Sequence, residues 1–175
     1  MFFEKNRLPS LRDMVLCGKM SPMNRGLLLQ KLWIGEHILD KTELLNFISK
    51  RKTAFIASLN DRGYPVVRAM LAPRKIGENE LYFSTNTSSK KVRQYRENNK
   101  ACVYFYKRGI LRYQGVCILG EMEVRTDPQI KESIWRPGDK LFYKQGVTDP
   151  DYCVLKFKCL SAEYYCDLKT ETIVF

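Results

Sequence analysis

The sequence predicts a mainly β protein. Six or seven antiparallel strands, with two or three short helices, curl into a closed or nearly closed barrel. Three observations carry this reading. From Thr53 onward the pattern becomes β, in short runs such as TAFIASLN, VVRAML, LYFST and ACVYFYK. Compact turn signals separate these runs: Asp61 to Pro65, Gly77 to Glu80, and Arg108-Gly109. So many strands joined by short turns would expose sheet edges unless the sheet curls round on itself.

The elements follow in order. Residues 1–40 are broken by Pro9, Gly18, Pro22 and Gly26, and then read LLLQKLWIGEHIL, one amphipathic helix. They are expected to form an N-terminal extension to a domain over 41–175. Asp40 and Glu43 stand in capping-box spacing, opening a helix that turns Leu44, Leu45, Phe47 and Ile48 toward a core. TAFIASLN and VVRAMLAPRKI read as a hairpin, and LYFST extends it to a meander. SSKKVRQYREN changes period, with Val92 and Tyr95 on one face, so it is a short helix capped by Ser88 or Ser89. ACVYFYK and ILRYQGVCILGEMEVRT are strands, and Gly115 suggests a bulge in the second. Thr126-Asp-Pro opens a helix reaching Trp135. A Gly/Pro/Asp-rich loop over 136–150 follows. YCVLKFKCL and SAEYYCDL are two more strands, which LKTETIVF extends or follows.

The chain has 175 residues, 30 of them Lys or Arg against 19 Asp or Glu, for a net charge of +11. Much of the excess lies between Ser88 and Arg112, where eight basic residues face one acidic residue. Such a concentration points to a phosphate-bearing partner. The N-terminus lacks a signal-peptide core, and no uncharged run approaches the ~18 residues of a membrane span. A cytoplasmic protein with reduced thiols is therefore expected. Only one histidine is present, His37, so a cluster of histidine metal ligands is excluded, and any Ser-His-Asp catalysis would need that residue. The six cysteines include no CxxC pair, so neither a structural metal nor a sequence-adjacent redox pair is indicated. His37, Trp33 and Trp135 read as structural residues.

The stretch from Tyr82 to Val92 carries the chemistry. A strand ends in Ser84-Thr85, a hydroxyl-rich loop follows, and a helix opens with Ser88, Ser89, Lys90 and Lys91. Free amides and the positive end of the helix dipole make this an anion site, to which hydroxyls add donors and two lysines add charge. Two lysines in a first turn oppose the dipole, a placement that makes sense where an anion neutralises them. Arg68 interrupts an otherwise apolar strand. If that strand paired with the one ending at Thr85, its guanidinium would converge on the same anion.

In their order and spacing, FIASLN, Gly63-Tyr-Pro65 with VVRAM, LYFSTNTSSKKVRQYRENNKACVYF, ILGEMEV, Asp127, Tyr152 and Ala162-Glu-Tyr-Tyr make Thr53 to Asp167 similar to a known family. The run resembles the pyridoxamine 5′-phosphate oxidase-like superfamily of FMN-binding split barrels, and within it the general stress protein branch. The resemblance implies a homodimer with FMN at the subunit interface. It implies that Arg68, Ser89, Lys90 and Lys91, with Ser88 in the same loop, hold the phosphate. Ser84, Thr85 and the backbone of Ala69, Met70 and Leu71 line the ribityl chain and ring. Gln114 falls near a glutamine placed against the flavin, and Tyr165 where an aromatic reaches the flavin from the partner chain. The oxidases continue after that aromatic with an Arg-Leu-His segment, whereas this chain reads Cys166-Asp-Leu-Lys, so vitamin B6 oxidation is not implied. An FMN-dependent oxidoreductase is the leading expectation. A flavin-binding protein without turnover is an alternative. So is a nucleic-acid-binding barrel that stacks bases on Tyr104, Tyr106 and Tyr113 beside Lys107, Arg108 and Arg112.

Overall fold

The computed structural model describes residues 40–109 and 113–175, and these belong to one compact unit. The extension expected over 1–40, with Cys17, Trp33 and His37, lies outside the described residues except for Asp40, and so does Arg112. Helix α1 (Lys41–Ser49) starts at the capping box read from the sequence. Asp40 Oδ1 accepts from the Glu43 amide at 2.7 Å, and Glu43 Oε2 accepts from the Asp40 amide at 3.4 Å. Leu44 and Ile48 are fully buried, and Leu45 and Phe47 pack partly against the same core.

Eight strands follow, all paired antiparallel: β1 (Thr53–Leu59), β2 (Pro65–Leu71), β3 (Lys75–Ile76), β4 (Glu80–Asn86), β5 (Lys100–Arg108), β6 (Tyr113–Arg125), β7 (Tyr152–Cys166) and β8 (Lys169–Val174). Helix α2 (Lys90–Glu97) links β4 to β5. Helix α3 (Pro128–Ile134) and two short 3-10 turns, Pro137–Leu141 and Gly146–Thr148, link β6 to β7.

The count exceeds the six or seven expected for local reasons. VVRAMLAPRKI breaks into β2 and β3 around Pro73, which has no amide to give to a ladder. YCVLKFKCL and SAEYYCDL are one strand, because a bulge at Leu160 is absorbed without ending the pairing: Leu119 faces Ser161, while Gly120 faces Cys159. LKTETIVF is a separate β8, turned back by Asp167 and Leu168 at φ 49° and 66°. The bulge expected at Gly115 is therefore at Gly120 and Leu160. Gly115 stays in register with Tyr106 and Tyr165, and its missing side chain makes room for the Tyr104 ring.

The strand order is β2-β1-β5-β6-β7-β4-β3, with β8 on the far half of β7. The ladder is not closed. Its two ends, β2 and β3, are nevertheless consecutive in sequence and separated only by Ala72 to Arg74. The four Cα steps from Leu71 to Lys75 span at most ~14 Å, so the sheet must curl until its ends nearly meet. This is a split barrel. Inward residues such as Ile56, Val103, Phe105, Ile118, Phe83 and Phe157 fill it. A second cluster of Tyr143, Tyr152, Ile134 and Trp135 packs under the α3 side, so Trp135 is a packing residue as expected. The inward set of β5 is Ala101, Val103 and Phe105. Tyr104, Tyr106 and Tyr113 therefore lie on the outward face, half-buried or exposed, and none is core.

Candidate functional site

Helix α2 is fixed by its inward residues. Val92, Gln94 and Tyr95 are buried, and the Tyr95 hydroxyl donates to the Ala57 carbonyl at 3.1 Å. Its N-cap residue is Ser89, but the Ser89 hydroxyl turns back to donate to the Asn86 carbonyl at 2.8 Å. The first-turn amides of Lys90 and Lys91 are thus left without a side-chain cap. The preceding loop is anchored from β7's approach. Thr87 donates its amide to the Asp151 carbonyl and Ser88 its amide to Asp151 Oδ1, both at 2.7 Å. The Ser88 amide is therefore committed to shaping the loop.

Arg68 reaches this helix by a route the sequence did not indicate. β2 pairs with β1, not with β4, so the strand pairing proposed to bring Arg68 beside Ser84-Thr85 does not exist. Instead, Arg68 Nη2 donates to Gln94 Oε1 at 2.7 Å, and Nη1 donates to Ser58 Oγ at 2.7 Å and to the Val66 carbonyl at 3.3 Å. The Ser58 hydroxyl in turn donates to Gln94 Oε1 at 2.7 Å. These partners are neutral, and among the described residues no carboxylate pairs with Arg68. The charge beside α2 is therefore uncompensated. Lys91 registers it: burial first, and then the Arg68 charge, hold its ammonium below the usual pKa of 10.5. Lys90 is exposed.

Sequence reasoning missed Ser58 and Gln94. Both were visible as polar residues on inward positions. Ser58 continues the buried alternation of Ala54 and Ile56, and Gln94 lies between Val92 and Tyr95 on the helix. Each is almost fully buried.

Ser84 and Thr85 close β4 next to this loop, Thr85 buried and Ser84 half-buried. Ser84 also lines a cavity of about 140 Å³ with Leu71, Ala72, Arg74, Asp139, Phe142 and Tyr143. Arg74 is tied to Asp139 at 2.6 Å. Burial pushes the Tyr143 phenol above its ordinary pKa, and the neighbouring Ser84 hydroxyl opposes that shift. Phe142 and Tyr143 are not singled out by the sequence, since they sit in a loop with no periodic signal. Ala69 and Leu71 face outward on β2 and Met70 packs partly on the core. Because β2 is an edge strand, its far side leaves alternate backbone groups without a ladder partner.

Gln114 and Tyr165 are not brought to this cluster. Ser84 faces Val154 and Gln114 faces Cys166, near opposite ends of β7. At ~3.3 Å per residue, Tyr165 lies roughly 35 Å along the strand from Val154. Gln114 Nε2 approaches Cys166 Sγ at 3.6 Å, and Tyr165 packs near Tyr113. A larger hollow of about 390 Å³ sits at the other end of α2. There Glu80, Glu121 and Glu123 balance Arg96, Lys156 and Lys158, so it is no anion site.

A curled, open antiparallel barrel whose helix α2 starts uncapped, with Lys91 and Arg68 against it, defines a split-barrel protein. The pyridoxamine 5′-phosphate oxidase family model matches residues 41–166, and the chain belongs to that family. It is similar to a Clostridium acetobutylicum protein related to general stress protein 26 of Bacillus subtilis. That structure is 30% identical, with a TM-score of 0.67, over 77% of this chain and 94% of the other. General stress protein 26 from Bacillus anthracis shares the fold at 18% identity and a TM-score of 0.64, over 77% and 98%. A haem-binding protein from Mycobacterium smegmatis shares it at 11% identity and 0.62, over 77% and 58%. No curated protein matches the chain. Among the described residues no helix is long and apolar enough to cross a membrane.

Proposed function

We propose that the protein binds FMN, with its phosphate at the start of α2, and acts as an FMN-dependent oxidoreductase. The observation that carries this reading is the uncompensated pair of Arg68 and Lys91 beside amides that Ser89 leaves uncapped. A phosphate dianion fits that donor set: it removes the repulsion between the cations and takes hydrogen bonds from both and from the helix start. Ser84, Thr85 and the outer edge of β2 lead from there to the cavity at Leu71 and Arg74, the direction in which the ribityl chain and ring extend. When bound, flavin supplies the electron and hydride chemistry, and the chain's residues bind and orient it.

Enclosure calls for a second chain. Ligand sites usually enclose about 300–1,000 Å³, well above the 140 Å³ found here. The cavity opens between Leu71 and Phe142, which are 73% and 80% exposed, and Val67 and Leu141 extend the apolar surface around it. The proposed assembly is a homodimer that covers this surface and completes the flavin site. Tyr165 and Gln114, remote from the cradle in one chain, would then approach the flavin from the partner.

The test is direct. The purified protein should carry a flavin absorption band or, as apoprotein, take up FMN at micromolar concentrations and elute as a dimer. Oxidation of NAD(P)H by the loaded protein separates an enzyme from a carrier without turnover. A colourless protein that fails to bind FMN overturns the proposal. Steeply salt-dependent binding to single-stranded nucleic acid in its place would favour the Tyr106 and Tyr113 surface.

A further inference from the structure

Cys102 and Cys117 are 15 positions apart in sequence, and no spacing rule connects them. The β5–β6 hairpin brings them together. Cys102 faces Leu119 and Cys117 faces Tyr104, so the two thiols are diagonal neighbours on the outward face of the sheet. Their sulfurs lie 3.3 Å apart, and both side chains are half-buried, whereas Cys153 and Cys159 are buried. We propose that Cys102 and Cys117 form a reversible dithiol–disulfide site, oxidised by hydrogen peroxide.

The pair shares a proton. The hydrogen bond between them holds the Cys117 thiol down at about 7, against burial and the Glu163 charge, while the same bond and burial push Cys102 up. Cys117 is thus the better thiolate and Cys102 the resolving thiol. The Cys117 thiolate attacks one peroxide oxygen and the O–O bond breaks. The other oxygen leaves as hydroxide and takes up a proton, giving water and a Cys117 sulfenic acid. Cys102 sulfur then attacks the Cys117 sulfur and loses its proton, and the sulfenic hydroxyl leaves as a second water. Two thiols are oxidised by two electrons, and one peroxide is reduced to two waters. Diagonal strand neighbours lie roughly 7–8 Å apart, beyond the ~4.4–6.8 Å span of most disulfides, so closing the bond requires the two strands to draw together locally.

The experiment treats the full-length native protein with hydrogen peroxide and maps unreduced tryptic peptides. Trypsin separates Cys102, within 101–107, from Cys117, within 113–125. A crosslink between these peptides as the first product, with free thiols falling by two and restored by dithiothreitol, is the expected result. In Cys102→Ser, a sulfenic acid trapped by dimedone should appear at Cys117, and in Cys117→Ser, Cys102 should stay reduced. Prior oxidation of half-buried Cys166, or Cys117 passing to sulfinic acid in the wild type without the crosslink, overturns the proposal. Neither readout depends on flavin.

Discussion

The proposed phosphate cradle makes an uncommon prediction for Lys91→Met: the apoprotein should become more stable while FMN binding weakens. Arg68 uses three of its guanidinium donors on Ser58, Val66 and Gln94, leaving two of about five for a ligand. Lys91 is half-buried and contributes an ammonium that, without an anion, is penalised by burial and by Arg68. Removing it relieves the free protein and deprives the complex of a charge-assisted contact worth about 1.5–3 kcal/mol. At about 1.4 kcal/mol per decade, FMN affinity should fall roughly 10- to 150-fold. Riboflavin lacks the phosphate and should bind the variant as it binds the wild type. Arg68→Met should lose FMN affinity by a similar factor. There the apoprotein gains little, because Ser58 and Gln94 keep their bond to each other but lose a donor. Fluorescence titration with both flavins, beside a denaturation curve of the apoprotein, measures the terms separately. Equal losses for riboflavin and FMN, or unchanged FMN affinity, would refute a phosphate at this place.

Other outcomes follow from the same structure. Because the Lys91 pKa is depressed on folding, the unfolded chain holds more protons just below pH 10.5, so its contribution to apoprotein stability should rise with pH in that window. Wild type minus Lys91→Met, followed by chemical denaturation across alkaline pH, isolates that slope, and bound phosphate should flatten it. Gly120→Ala should cost about 1–3 kcal/mol, since a Cβ there meets the Lys158 carbonyl and the Phe157 ring; urea midpoints report it. Leu168→Gly should stabilise by up to about 1 kcal/mol, because a left-handed leucine costs about 1–2 and glycine returns part of that through the unfolded chain. Leu71→Asp with Phe142→Ser should leave the fold intact and shift the chain to monomer in sedimentation.

What the sequence made legible was what depends on neighbours along the chain. The Asp40 capping box, the Gly63 turn and the Asp127 helix start all lie within a few residues of the groups they organise. The hydroxyl-rich loop and the helix it opens were legible for the same reason, since hydroxyls, helix start and lysines are contiguous. Pairing across the sheet was not. Arg68 was placed beside Ser84 by assuming that strands adjacent in sequence pair, but the segment carrying it splits at Pro73 and serves both sheet ends. The Ser58–Gln94 anchor spans 36 positions, and only burial makes two ordinary polar residues a mount for a guanidinium. Gly115 was read as a bulge because its partner, the Tyr104 ring, comes from another strand.

That split segment joins architecture to chemistry. As one unbroken strand, 65–76 would pair along a single edge, and Arg68 and Arg74 would share one ladder. Pro73 instead lets β2 pair with β1 while β3 crosses to β4, so three linking residues draw the two ends of the sheet together. The cleft between those ends is where Leu71 and Ala72 meet Ser84, Phe142 and Tyr143, and Arg68 stands on the same strand against Gln94 in the middle of α2. The seam is left without hydrogen bonds across it, which a closed barrel would not allow. In the proposed assembly the open seam would give a ligand unpaired β2 backbone to lie against, and a second chain would cover what remains exposed.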